Sequence, residues 1–272
     1  YLSETYTYPQ DLLLDVYSPS GDTVTDRPCI VYAHGGAFLF GAKNDYPVVE
    51  FCERMTAKGY VVVSIAYRLG FNSLDSVSSQ RATYRGIQES HAAMRYVKQH
   101  ASQLGIDSNK VYGAGNSAGS IMAIHVAYLD EYERVNFPAL SSTPDLGCLS
   151  CSGNAYQTGA VPKAIANLWG AIIDTAFIEV SNNVPAISFH GDQDGLVSPN
   201  HARPFNNPFF PKLFGSTIIH QRLGHLSMMN SYQVFTGAGH EPWGLFGTNL
   251  YMDSIVEATA NFFYPMTVMS TD

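Results

Sequence analysis

The stretch Val111-Tyr112-Gly113-Ala114-Gly115-Asn116-Ser117-Ala118-Gly119 decides how the rest of the chain is read. An apolar run that reads as a strand meets a helix-forming run, Ser120 to Glu133, with a single serine at the corner. A strand that becomes a helix within about one residue forces an unfavourable backbone angle on that serine and lifts its hydroxyl into a cleft. Glycines two positions to either side, Gly115 and Gly119, keep neighbouring side chains out of the way. The amide of Ala118 is left free at a helix N-terminus, where an anion is favoured. Gly-rich turns with a central serine also arise by chance, so the motif carries weight only if the chain supplies a base, an acid and a second set of amide donors.

Upstream, Cys29-Ile-Val-Tyr-Ala33 is an apolar run of the kind buried on both faces of a sheet. It enters His34-Gly35-Gly36-Ala37-Phe38, where two glycines let the backbone turn its amides into a cleft. A plain strand-ending turn would use the same pair. Downstream, the buried run Val184 to His190 delivers Gly191-Asp192-Gln193-Asp194 to the same rim. After the run Ser231 to Phe235, Gly239-His240 places an imidazole on a loop able to reach a serine. Both Asp192 and Asp194 are candidates for the acid.

The intervening segments alternate. Tyr46 to Lys58 reads as a helix, Tyr60 to Ala66 as a strand, Asn72 to Ser79 as a polar loop and Gln80 to Gln103 as a long helix. Leu146 to Gly153 reads as a strand, Ala164 to Phe177 as a helix and Tyr251 to Phe263 as a closing amphipathic helix. At the start, Leu2 to Tyr8 and Leu12 to Tyr17 suggest an antiparallel hairpin at a sheet edge. The pattern predicts one α/β domain over 1–272, built on a mostly parallel, doubly wound sheet whose ligands gather at strand carboxyl ends. Residues 204–230, with Phe205, Phe209, Phe210 and Phe214, form an aromatic insertion that reads as a lid or substrate wall, or as a loop packed on itself. His91 and His100 read as surface residues, His125 as buried structure, and His201, His220 and His225 as surface residues near the insertion.

Composition narrows the classes. Hydrophobic residues make up 46% and charged residues 14%, which argues against disorder, and a net charge of −8 leaves no basic cluster for nucleic acid. No apolar run approaches the ~18 residues of a membrane span. The start at Tyr1 reads as a trimmed or mature terminus, with no signal peptide. Four cysteines leave a Cys29–Cys52 bridge open, and Cys148-x-x-Cys151 reads as either free thiols or a bridge across a turn, because the zinc reading needs a second such pair. Low lysine content, many tyrosines and the even cysteine count lean towards a secreted or periplasmic protein.

Taken together, His34 to Phe38, Gly115 to Gly119, His190 to Asp194 and Gly239-His240 resemble the α/β-hydrolases. The resemblance is to their carboxylesterase and lipase branch with an HGG-type oxyanion loop, as in hormone-sensitive-lipase-like and type B esterases. It implies Ser117 as nucleophile, His240 as general base and then acid, and Asp194 rather than Asp192 as the orienting carboxylate. The oxyanion donors would be the amides of Gly36, Ala37 and Ala118, with Phe38, Asn116, Phe209 and Phe210 around the substrate. Ala37 stands where many relatives carry a third glycine. Only 33 residues precede His34, too few for the cap helices of the hormone-sensitive-lipase type, so a more open site is expected. The resemblance implies hydrolysis of a small-molecule or polymeric ester, short-acyl or aromatic, with no metal or organic cofactor. A polyester or feruloyl-type esterase and a non-catalytic binding protein are the alternatives.

Overall fold

The structure, a computed structural model, describes residues 11–21, 23–136, 144–244 and 249–268. The chain enters with β1 (Leu14–Tyr17) and β2 (Arg27–Ala33). Helix α1 (Tyr46–Ala57) follows, with Pro47 in its first turn, where the missing N–H costs nothing. After β3 (Val61–Ile65), α2 (Ser76–Gln99) starts inside the segment expected to be a loop. Its N-cap is Asp75, whose carboxylate accepts from the amide of Val77 at 2.9 Å and satisfies a helix-end donor. A short α3 (Ala101–Leu104) ends at Gly105 in the left-handed conformation, and β4 (Ile106–Asn116) leads to α4 (Ala118–Tyr128). Every residue of α4 is buried. It stops five residues before the expected Glu133, and a 3₁₀ turn (Glu131–Asn136) follows.

The second half contains β5 (Ile165–Leu168), β6 (Ala171–Ile172), β7 (Ala186–Gly191), β8 (His201–Ala202), β9 (Leu213–Gly215), α5 (Ser216–His225), β10 (Asn230–Phe235) and α6 (Leu250–Val268). Two expectations are corrected here. Ala164 to Phe177 is not a helix: β5 inserts between β4 and β7, and an apolar run buried on both faces has no period to separate strand from helix. Leu146 to Gly153 is not a strand. The carbonyls of Leu146 and Cys148 accept from Gln88 Nε2, that of Gly147 from Tyr84 Oη, and that of Ser152 from Arg95, all on α2. The backbone bonds to a helix face rather than to a ladder. A Cys148–Cys151 disulfide closes its turn.

The main sheet runs β1-β3-β2-β4-β5-β7-β10, parallel throughout except for β1 against β3. The partner expected for β1 in a hairpin, Leu2 to Tyr8, lies outside the described residues. Along β2, Cys29, Val31 and Ala33 face one layer with α2 and α4, while Ile30 and Tyr32 face the other with α1 and α6. This alternation rules out the Cys29–Cys52 bridge. Cys29 points into the first layer, Cys52 on α1 packs in the second, and both are free and buried. A small second sheet, β6-β9-β8, sits beside the carboxyl ends of the main strands.

His91 is buried rather than at the surface, because α2 is covered by the loop that carries Ser150, whose Oγ lies 2.9 Å from His91 Nδ1. His125 on α4 is buried as expected. Burial pushes His91 down to about 3 and His125 down to about 4, so both are neutral in the native state at neutral pH. The unfolded chain binds protons at these residues from about pH 6.5 downward while the native state refuses them. Stability is therefore full above about pH 6.5 and falls below it, by up to about 1.4 kcal/mol per pH unit for each histidine. Urea unfolding at pH 7, 6 and 5 should show this decline, and His91→Gln should make it shallower.

Candidate active site

Ser117 joins β4 to α4 with φ 52° and ψ −119°, a conformation that side chains rarely adopt. Its surroundings leave no alternative. A Cβ on Gly119 would lie 2.0 Å from the carbonyl oxygen of Ala33, and one on Gly115 would lie 2.5 Å from the backbone of Gly119. The first turn of α4 is thus pressed onto the end of β2, and only glycine fits at the contact.

The nucleophile candidate is 6% exposed, and His240 Nε2 lies 2.9 Å from its Oγ. On the far side of the ring, His240 Nδ1 is 2.6 Å from Asp194 Oδ2. The other carboxylate oxygen accepts from the amides of Leu196 and Val197, each at 2.9 Å. Burial works against charge on Asp194. Hydrogen bonds from His190 and His240, the electrostatic attraction of the His240 ring and the Val197 amide outweigh it and hold the carboxyl well below the usual carboxylate range. His190 Nε2 lies nearer to Val197 O, at 2.8 Å, than to Asp194, at 3.2 Å. Asp192 is exposed and accepts from the amide of Gly237 at 2.7 Å, so it ties the loop that carries His240 instead of touching the ring. The Gln193 amide donates to Ala238 O at 2.9 Å and joins the same two loops. Trp169 and Trp243 pack edge to face behind the imidazole.

The loop after β2 is folded back on itself. Gly36, Ala37 and Phe38 have φ of 115°, 53° and 60°, and the Gly36 carbonyl accepts from the amides of Leu39 and Phe40. A Cβ on Gly36 would sit 1.9 Å from Phe40 O, so this position admits glycine alone. His34 braces the turn: its Nδ1 is 2.6 Å from Gly35 O and its ring stacks on Tyr67, whose hydroxyl donates to His34 O. Burial pushes this imidazole below its ordinary value, so Nδ1 holds its proton without the ring being charged. Among the described residues no acceptor takes the amides of Gly36, Ala37 or Ala118.

Ser117, Ala37 and Ala118 open into a recess with about 590 Å³ of empty space, part of it open to solvent. Its walls include Phe38, Phe71, Phe205 and Phe210. Two residues proposed for substrate contact lie elsewhere. Phe209 is 43% exposed, because the turn fixed by Asn207 sends it outward while Phe210 goes inward against Phe71. Asn116 is buried and fully engaged: its Oδ1 accepts from Tyr32 Oη at 2.9 Å, and its Nδ2 donates to Glu241 Oε1 at 2.8 Å. Glu241, beside His240 and at φ 52°, therefore ties the base's loop to the residue before the serine. Glu241 does not stand out in the sequence, since its role depends on loop conformation, whereas Phe205 belongs to the aromatic insertion read as a lid or substrate wall.

The chain is similar in sequence and in fold to known proteins. A family model described as BD-FAE matches residues 14–146. Lipase 1 of Geotrichum candidum is 32% identical over 125 residues, covering 43% of this chain and 22% of its own length. A neuroligin-like protein of Caenorhabditis elegans, glit-1, is 32% identical over 111 residues, covering 40% of this chain and 15% of its own. A propionate-bound thermophilic esterase from Thermogutta terrifontis superposes with a TM-score of 0.69 at 20% identity, over 97% of this chain and 92% of that one. The chain has the α/β-hydrolase fold, and over its first half its sequence is similar to proteins of the carboxylesterase and lipase branch. It spans about a quarter or less of the length of the curated relatives it matches.

The two acidic candidates are separated by geometry, and their variants should separate by reactivity. Asp194→Asn removes the charge and disturbs the imidazole tautomer. It should slow fluorophosphonate labelling of Ser117 by about 10³-fold or more. Asp192→Asn, which touches a loop amide only, should stay within about tenfold of the parent rate, its effect confined to a modest loss of thermal stability.

Proposed function

We propose that this protein is a serine carboxylesterase acting through an acyl-enzyme on Ser117. The observation that carries the reading is the unbroken chain of contacts from Ser117 Oγ to His240 Nε2 and from His240 Nδ1 to Asp194 Oδ2. In the proposed cycle, Ser117 attacks the ester carbonyl as its proton passes to His240 Nε2. Asp194 stabilises the imidazolium and keeps Nδ1 protonated, without taking the proton itself. The carbonyl oxygen gains charge beside the amides of Ala118, Ala37 and Gly36, which are fixed before substrate arrives and need no reorganisation. The alcohol leaves with the proton from His240. Water, deprotonated by the same ring, then releases the carboxylic acid.

The recess supports short-acyl or aromatic esters as substrates. Its lining is mostly apolar and aromatic, and residues of the segment 204–213 form one side of it. Propionate bound to the structurally similar Thermogutta esterase is consistent with a short acid product. The Cys148–Cys151 bridge supports an exported protein, since disulfides persist in oxidising compartments.

Hydrolysis of p-nitrophenyl esters from acetyl to long acyl tests the reading. Wild type should turn over the short esters with rates falling as the chain lengthens. Ser117→Ala should lose at least about 10⁴-fold in kcat while keeping the wild-type melting transition. Inert wild-type protein that also fails to react with a fluorophosphonate would favour a binding protein on this fold instead.

A further inference from the structure

Asp194 Oδ2 lies between two imidazoles. His240 Nδ1 approaches to 2.6 Å, and His190 Nε2, from the strand that leads to the acid's loop, stands 3.2 Å away. His190 is fully buried, and its Nε2 is 2.8 Å from the carbonyl oxygen of Val197, the residue whose amide binds the other carboxylate oxygen. Both neighbours of Nε2 are acceptors, so that nitrogen carries a proton.

The state of Nδ1 is decided further off, by a backbone amide. Gly170 N–H can only donate, and it meets the Asn167 side chain at 2.8 Å, so the atom it meets is the Asn167 oxygen. Asn167 Nδ2 then donates to Ser216 Oγ at 3.0 Å, and the Ser216 hydroxyl is left to donate to His190 Nδ1 at 2.7 Å. A second proton on the ring would aim two donors at Ser216 Oγ and strand the hydroxyl's own proton in a fully buried place. His190 is thereby fixed as the Nε2–H tautomer. The other branch of the network runs in the same sense. Asn167 Nδ2 also donates to Ser188 Oγ, Ser188 to His220 Nε2, and His220 Nδ1 to Asn230 Oδ1, while Asn230 Nδ2 donates to Met228 O.

Resting on the esterase reading, we infer that His190 is a positioning residue for the reaction, an uncharged donor to the Asp194 turn whose tautomer is set from Gly170 through Asn167 and Ser216. In that form it holds the Val197 carbonyl and stands an N–H against Oδ2 without cancelling the carboxylate's charge. The charge is left to stabilise His240 when that ring takes the serine's proton. The groups around the two rings agree with this division. Asp194 lies between them, and Glu241, beside His240, is engaged by Asn116. On its other sides His190 meets Ser216 of α5, with Asn167 of β5 behind it, and Val234 stands opposite on β10; none of these titrates. The network reaches His220 only through Asn167 and Ser188.

The test is the pH profile of p-nitrophenyl acetate hydrolysis. His190→Leu should lower kcat by about tenfold with KM within about twofold of wild type, because the carboxylate's hold on the imidazolium matters in the transition state. The acid limb of kcat/KM, where His240 must shed a proton to act as base, should move to higher pH by about half a unit, since a carboxylate with one donor fewer pulls harder on the imidazolium. His190→Gln, which can place an N–H near the position of Nε2, should bring the limb back towards wild type. In wild-type protein labelled with nitrogen-15 histidine, the ring signals that vanish in His190→Gln should report the Nε2–H tautomer, which keeps the test open if His190→Leu does not fold. A loss of activity that tracks thermal stability with the limb unmoved overturns the role of His190 and leaves the esterase reading standing. A ring that is doubly protonated at neutral pH, or that carries its proton on Nδ1, does the same. Wild type inert on the ester and towards a fluorophosphonate sinks both.

Discussion

The contact between the first turn of α4 and the end of β2 governs the geometry of this protein. With no side chain on Gly119, the helix backbone comes against the carbonyl of Ala33, and Ser117 has to turn through the left-handed region to get there. Everything else in the site is positioned relative to that contact. The loop that leaves β2 starts one residue later, so its amides are set down beside the serine by the same approach. Strands β5 and β7 continue the parallel order on the other side of β4 and bring the acid's loop to the same edge. A strained residue persists only where its neighbours over-determine it. Here the helix α4, buried along its whole length, supplies that determination.

Behind the site lies a polar network that a hydrophobic core would be expected to exclude. Asn167 on β5 is its hub: its Oδ1 accepts from Ser120 Oγ on α4 and from the amide of Gly170, and its Nδ2 donates to Ser188 and Ser216. Ser216 continues to His190 Nδ1, and Ser188 to His220 Nε2, whose Nδ1 donates to Asn230 Oδ1. The hydroxyls of Ser188 and Ser216 thus each donate once and accept once. A fully satisfied buried network fixes one packing arrangement where apolar residues would tolerate several. Because it joins the elbow helix to the strand preceding Asp194, it also relates the serine to the acid without passing through the histidine. His190, near the end of β7, links Ser216 to the loop of Asp194.

Much of this was legible from sequence because short-range chemistry leaves short-range marks. Gly115, Ser117 and Gly119 have the spacing that only a tight strand-to-helix corner explains, and Gly35-Gly36 follows a run buried on both faces. The helices α1 and α6 showed their period, and β7 and β10 their apolar runs. What escaped had long-range causes. β5 is flanked by strands on both sides, so it lost the alternation that marks a strand against water. The turn at Cys148 and Cys151 is held by side chains of α2 some sixty positions away. Asn116 and Glu241 are bonded across the site, and Phe205 rather than Phe209 reaches the recess, because of backbone turns that the residue types alone do not dictate. His91 looked exposed on a helix whose covering loop could not be foreseen.

Part of the recess wall lies outside the frame that holds Ser117, His240 and Asp194. Nearly half of its lining comes from the first turns of α2 and from the segment between β8 and β9, neither of which donates a residue to that trio. The wall segment between β8 and β9 can therefore change in length or composition without touching the contacts that join Ser117, His240 and Asp194.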